Sequence, residues 1–204
     1  KIKAVEGVKT VSFANWFGGV YKDKNNFFAR MAVDVESIFD VMQEFVITDE
    51  EIANFKKERN ACVIGQDIAK QYNIKVGDQM VLEGDIFPGR WEFVVRGIYK
   101  PKNKNTDDTQ MLFHWAYVDE RMRIESPSRA GNVGWYIVLV EDANKAAEIS
   151  ERIDALFDNS SAETKTETER AFTQGFMSAY SAMLTAMNYM SFVIVGIIML
   201  LLAN

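Results

Sequence analysis

The amino-acid sequence predicts an α+β domain followed by one long C-terminal helix. Short segments rich in β-branched and aromatic residues alternate with segments that carry helix-capping signals, and no internal repeat interrupts this order. Every charged residue lies at or before Arg170, whereas residues 171–204 contain none. A charged folded part and an uncharged C-terminal helix are therefore expected in one chain.

The N-terminal part of the chain predicts two strands on either side of an aromatic segment. Residues 8–13 begin the first strand, and residues 30–35 alternate in polarity as the second. In the second strand Arg30 and Asp34 are expected to face outward, because they alternate with apolar neighbours. The aromatic segment, residues 13–21, contains two consecutive glycines, which indicate a loop.

A helix, a strand and a second helix are predicted next. Thr48 followed by Glu51 three residues later has the pattern of a capping box, which predicts a helix over residues 49–57. The apolar run at residues 61–64 predicts a buried strand. Residues 66–72 predict the helix that follows it.

Four more strands are predicted in the central part of the chain. A turn around Gly77 leads into a strand at residues 80–82. Residues 91–99 are β-branched or aromatic and give the clearest strand pattern, while residues 110–118 and 135–140 predict two further strands.

The C-terminal part predicts an amphipathic helix and then the long uncharged one. Residues 144–157 have apolar side chains at helical spacing. Thr166 with Glu169 has the pattern of a second capping box, which predicts the start of the long helix. Residues 172–188 keep several polar side chains, but the sequence after Tyr189 is almost purely aliphatic. That aliphatic part is about 22 Å long as a helix, against a hydrocarbon core of about 30 Å. We therefore expect a stalk and the beginning of a membrane span.

Composition narrows the class of protein. The net charge of −6 belongs wholly to the part before residue 171, and such a surface is a poor match for nucleic acid. The single cysteine, Cys62, cannot form an internal disulfide. The sequence starts at Lys1 without the charged and apolar regions of a signal peptide, so we expect an internal segment of a longer protein.

Candidate catalytic and cofactor-binding residues are few. His114 is the only histidine and lies in an apolar segment, so a packing role is favoured over catalysis by about four to one. One histidine and one cysteine leave zinc without a plausible set of nitrogen and sulfur ligands. No glycine is followed by lysine, so the phosphate-binding loop of ATPases is absent. We expect no enzyme activity and no cofactor in this chain.

Two groups of residues are candidates for contacts with other molecules. The aromatic cluster either packs in the core, which is favoured about two to one, or forms an apolar surface for a partner or cargo; its members are Phe13, Trp16, Phe17, Tyr21, Phe27 and Phe28. Within it, the candidate contact residues are Phe13, Trp16, Phe17 and Tyr21. In the stalk, small residues recur at every fourth position and would allow close helix packing. Simple helix propensity explains this stripe equally well; its members are Ser178, Ala182 and Ala186.

Several segments together resemble the extracytoplasmic domain of ABC-transporter permeases of the MacB/FtsX type, a family that includes macrolide exporters and lipoprotein-release permeases. The resemblance lies in the order and spacing of residues 5–11, 62–69, 74–78, 93–98 and 143–149. It implies a two-lobed mixed α/β domain. Residues 1–47 and 133–170 would form the membrane-proximal lobe, residues 48–132 the inserted lobe, and residues 171–204 the stalk and the start of a transmembrane helix.

The resemblance also implies a function and a location. The domain would lie on the periplasmic side of the inner membrane and couple ATP hydrolysis to extracytoplasmic movements for export or for extrusion of a lipoprotein or other substrate. Its implied partners are a cytoplasmic ABC ATPase subunit, a second permease subunit in a homo- or heterodimer, membrane lipid, and a periplasmic partner or cargo. A membrane-anchored binding or sensor module without transport activity is the alternative.

Overall fold

A computed structural model of the protein describes residues 1–202, except for the side chains at positions 173, 176, 177, 179, 180, 182, 184, 193, 196 and 200–202. The described residues form nine strands: β1 Val8–Trp16, β2 Val20–Tyr21, β3 Ala29–Val33, β4 Phe45–Val46, β5 Ala61–Gly65, β6 Gln79–Gly84, β7 Gly89–Pro101, β8 Gln110–His114 and β9 Trp135–Val140. They also form six α-helices: α1 Ile38–Val41, α2 Asp49–Lys57, α3 Gln66–Tyr72, α4 Trp115–Glu125, α5 Ala146–Ala155 and α6 Glu169–Leu202.

The strands form one mixed sheet in the order β2-β6-β7-β5-β8-β3-β1-β9, and β4 pairs with the end of β7. Two pairs are parallel, β3 with β8 and β5 with β7. Antiparallel pairs join β1 to β3, β5 to β8 and β6 to β7. The predicted fold of mixed helices and strands is confirmed, whereas the stalk and transmembrane role of the C-terminal helix stays a prediction.

The chain divides into two compact units. Residues 8–139 form one, and residues 1–7 together with the chain after Leu139 form the other. These units do not follow the predicted lobe boundaries at residues 47, 132 and 170, and the lobe assignment stays a prediction.

Strand β5 is buried on both faces, and this produces two hydrophobic cores. All five of its residues are buried, and successive side chains point to opposite faces of the sheet. Cys62 and Ile64 belong to the first core, which also contains buried residues of α3 and α4. Ala61 and Val63 belong to the second core, which contains buried residues of α1 and α2. Each large apolar side chain buried in this way contributes roughly 1.5–3 kcal/mol.

Local capping signals located the first long helix correctly. The Thr48 hydroxyl accepts the Glu51 N–H at 3.2 Å, and the Glu51 carboxylate accepts the Thr48 N–H at 3.1 Å. This reciprocal capping box starts α2 at the predicted residue. The predicted bounds of α3 are confirmed as well.

The predicted strand over residues 110–118 is wrong in its second half. β8 ends at His114, and α4 begins at the next residue. Val118 and Met122 are both buried, and their four-residue spacing places them on one face of the helix. The β propensity of the aromatic residues at 115 and 117 is overridden by this packing.

Arg30 is buried, so the prediction that it faces outward is wrong. Its exposed fraction is 3%, because β3 lies between β8 and β1 and both faces of the sheet are covered. Alternating polarity marks a solvent-facing side only where one face of a strand is open.

The predicted capping box at the start of α6 is also wrong. The Thr168 hydroxyl, not that of Thr166, accepts an N–H of the first turn, from Ala171 at 3.2 Å. The Thr166 hydroxyl instead donates to Asp154 in α5 at 2.7 Å. The Thr166 hydroxyl, which the local sequence pattern assigned to the cap of α6, is thus bound by Asp154, twelve residues earlier in the chain.

Helix α6 is continuous over 34 residues, a length of about 51 Å. Among the helices formed by the described residues, none meets the combined requirement of length and hydrophobicity for a bilayer crossing.

His114 is a core residue, as the packing alternative predicted. Its Nε2 donates a hydrogen bond of 2.6 Å to the Phe55 carbonyl, which can only accept. Its Nδ1 is buried without a partner among the described residues. Burial lowers the pKa of His114 from its ordinary value, because a charged imidazolium in the core would lose its hydration.

We predict that acidification destabilises the protein through His114. The unfolded chain protonates this histidine below a pKa of about 6.5, whereas the folded chain resists protonation until a lower pH. The free energy of unfolding should therefore fall as the pH drops from that value toward the folded-state pKa. Urea unfolding between about pH 7 and pH 5 measures this loss.

His114→Gln is the control for this prediction, because glutamine keeps a hydrogen-bond donor and does not titrate. The variant should lose the dependence on pH over that range. An equal dependence in the variant would assign the loss to other groups.

Candidate partner-binding surface

The predicted aromatic group is divided between the core and the surface. Phe17 and Tyr21 are buried in the first core, and Phe13 is half-buried. Trp16 is 39% exposed, and Phe27, a few residues further along the chain, is 75% exposed. Of the four residues proposed for a partner contact, Trp16 is thus the most exposed, and the contact itself remains a prediction.

Phe17 is a central residue of the first core. Its ring lies 5.4 Å from Trp91 and 5.0 Å from Phe113, centroid to centroid, with both pairs edge to face. The ring of Phe87 stacks on it at 5.5 Å. Such pairs are worth about 0.5–1.5 kcal/mol beyond the area that they bury.

A glycine turn reverses the chain directly after Phe17. Gly18 and Gly19 both have positive φ, at 71° and 83°. A Cβ at Gly18 would lie 2.1 Å from the Asp85 carboxylate, which accepts the Gly19 N–H at 2.7 Å. Glycine is required here both for the backbone conformation and for the close approach of Asp85.

The buried Arg30 organises the loop that carries Phe27. Its Nη2 donates to the Asn26 carbonyl at 2.7 Å, and its guanidinium lies 4.1 Å from the centroid of the Phe28 ring. The Asn26 amide in turn donates to the Tyr21 carbonyl at 3.1 Å. Burial lowers the pKa of the Arg30 guanidinium, while Tyr72 and Asp85 oppose this shift. Arg30, which the sequence predicted to face solvent, is thus buried and contacts Asn26 and Phe28 in this loop.

Trp16 and Phe27 form a pair at the surface, which we call the exposed aromatic pair. Their ring centroids are 6.4 Å apart and the rings are tilted by 30°. Trp16 is the last residue of β1, and Phe27 lies just before β3, the strand that pairs with β1. The backbone of both residues is thus fixed by the sheet and by Arg30, so the pair presents apolar area at little cost in entropy.

A second group of exposed aromatic residues lies on β9, which ends the sheet. Trp135 is 38% and Tyr136 is 48% exposed. Phe13 lies against Tyr136 at 6.4 Å and against Trp115 at 5.3 Å. Sequence reasoning identified this strand but missed its exposed side chains; the polar loop just before Trp135 was the available signal for a strand near the surface.

The described residues do not bring together a catalytic or metal-binding group. Cys62 is fully buried, and burial raises the pKa of its thiol. His114 is bonded to a backbone carbonyl. Within the described part of the chain, no three histidine, cysteine, aspartate or glutamate side chains are placed to hold a metal ion.

The predicted packing stripe of the stalk lies on α6. Ser178 and Ala186 are exposed, and the side chain of Ala182 lies outside the described residues. Helix packing through this stripe stays a prediction.

Comparison with known proteins gives a family and a fold. Residues 1–156 match the family model described as the MacB-like periplasmic core domain. The fold is similar to the extracellular domain of the noncanonic ABC-type transporter YknZ from Gram-positive bacteria, with 15% identity, 78% of this chain and 79% of that chain covered, and a TM-score of 0.51.

The fold is also similar to the periplasmic region of MacB from Actinobacillus actinomycetemcomitans. The identity is 13%, with 77% of this chain and 71% of that chain covered and a TM-score of 0.52. No curated protein sequence is significantly similar to the chain.

The division of the aromatic residues predicts a difference in stability. Phe17→Ala should lower the free energy of unfolding by about 3–5 kcal/mol, because it removes a ring from the centre of the core. The matched variant Phe27→Ala should change it by no more than about 0.5 kcal/mol. Urea unfolding of both variants measures the contrast, and a similar loss in the two would show that the loop side chain is also part of the core.

Proposed function

Because the chain belongs to the family of MacB-like periplasmic core domains, we propose that it relays ATP-driven movement of a permease to the extracytoplasmic side of the inner membrane, for export or substrate extrusion. ATP is hydrolysed in a separate cytoplasmic ABC ATPase subunit.

One observation carries the proposal, the unbroken helix α6 that follows the folded domain. Its backbone hydrogen bonds are internal to the helix, so it moves as a rigid element. A displacement at one end of its 34 residues therefore reaches the other end. The uncharged, aliphatic sequence after Tyr189 supports entry of that part into the bilayer.

The proposal includes partners on both sides of the membrane. A second permease subunit, identical or different, pairs with this one, and lipid surrounds the C-terminal part of α6. On the extracytoplasmic side, the exposed aromatic pair contacts a partner protein or cargo. Tryptophan and phenylalanine on a fixed backbone provide the apolar anchor that such contacts use.

A flexible insertion in α6 should uncouple the domain from the ATPase. We expect a Gly-Ser segment inserted after Gly175 to leave assembly and ATP turnover intact. It should abolish transport and also the nucleotide response. We define the nucleotide response as a difference in amide hydrogen exchange of residues 8–139. The two states compared are the nucleotide-free complex and the complex trapped with ATP and vanadate. Hydrogen-exchange mass spectrometry of the complex measures it.

The same segment inserted after Lys104, in the exposed loop between β7 and β8, is the control. It adds equal flexibility outside the helix and should preserve the nucleotide response. If the insertion after Gly175 also preserves it, α6 does not relay movement, and a binding module without a transport role becomes the better account.

A further inference from the structure

The segment between α5 and α6 has one face made of threonines. In residues 163–168, charged side chains alternate with Thr164, Thr166 and Thr168. The charged side chains are exposed and the three threonines are half-buried. In extended backbone, successive side chains point to opposite sides of the chain. The three threonines, which are two residues apart, therefore lie on the same side.

Asp154, in the last turn of α5, accepts hydrogen bonds from two of these threonines. Its Oδ1 accepts the Thr164 hydroxyl at 3.0 Å and the Thr166 hydroxyl at 2.7 Å, and its Oδ2 accepts the Thr166 N–H at 3.0 Å. Thr168, the third threonine, caps α6. The last turn of α5 and the first turn of α6 are therefore bonded to one face of the same short segment.

The position of Asp154 is unfavourable for the helix that carries it. A carboxylate near the C-terminus of a helix meets the negative end of the helix dipole. Partial burial raises the pKa of the Asp154 carboxyl, but the bonds from Thr166 and Thr164 and the nearby Lys165 lower it more, and the net pKa is below its ordinary value. The group is ionised at neutral pH, and its three bonds are of the stronger, charge-assisted kind.

Helix α5 is itself held against the residues that precede β1. A Cβ at Gly7 would lie 2.8 Å from Ile149 Cδ1, so the helix packs directly on the backbone there. Arg152 lies 3.7 Å from the Glu6 carboxylate. Gly7 is the residue directly before β1. The start of α6 is therefore connected to the start of β1 through the bonds to Asp154, the packing of α5 on Gly7, and the chain that continues from Gly7 into β1.

From these contacts we propose that Asp154 is a positioning residue that latches the segment 164–166 to α5 and so passes displacement of α6 to the folded domain. The latch rests on the proposed function, because it acts only if α6 moves. Without the bonds from Asp154, the segment between α5 and α6 is free to change conformation, and a displacement of α6 does not reach α5.

Hydrogen exchange in the intact complex with its ATPase subunit, in lipid nanodiscs, tests the latch. Asp154→Asn removes the negative charge and leaves one carbonyl oxygen in place of the two oxygens that accept three bonds. It should therefore raise exchange of the Thr166 amide, measured in peptides that cover 164–168, roughly tenfold or more. Thr166→Val removes the hydroxyl alone and should have a smaller effect, whereas Thr166→Ser should behave as the wild type. Asp158→Asn, an exposed carboxylate just beyond α5, is the matched control and should change nothing.

The nucleotide response separates a latch from a purely local contact. In Asp154→Asn it should be reduced, with ATP turnover maintained. Unchanged exchange at 164–168 would overturn the latch. Faster exchange at 164–168 together with a full nucleotide response would overturn the coupling role of the latch. The proposed function would still stand in that case if the insertion after Gly175 removed the nucleotide response. Should the insertion also leave the response intact, the proposed function fails, and the latch fails with it.

Discussion

Burial of both faces of the central strands is the constraint on which this fold depends. Every residue of β5 is buried, and its alternate side chains enter two different cores. Each face needs its own cover, which α1 and α2 supply on one side and α3 and α4 on the other. The helices thus occupy both faces of the sheet.

This constraint also places the single cysteine and the single histidine of the sequence inside the cores. Cys62 and His114, the two side chains with the greatest catalytic potential, lie inside the cores, where burial raises the pKa of the thiol and lowers that of the imidazole. Both are therefore neutral at physiological pH. At the surface lie Trp16 and Phe27, whose ring centroids are 6.4 Å apart, and Asp154 accepts the bonds that join α5 to the segment before α6.

The sequence was informative where a structure depends on neighbours in the chain. The capping box of α2 and the continuous apolar run of β5 follow from residues within a few positions of each other, and both were predicted. Arg30, Thr166 and Trp16 were not predicted correctly or could not be assigned, because their environment depends on residues distant in the chain. The burial of Arg30 depends on strands distant in sequence, the bond of Thr166 depends on Asp154, and Trp16 differs from Phe17 because the sheet covers only one of them. The exposed aromatic pair could be suspected from composition, but its members could not be chosen.

The most direct test of the transporter account is purification of the protein from its native membrane in mild detergent, followed by identification of bound subunits and measurement of ATP turnover. The account predicts a stoichiometric ABC ATPase subunit and ATP hydrolysis by the complex. Reproducible isolation of the protein without an ATPase subunit, and without ATP turnover, would contradict it and favour an anchored binding module.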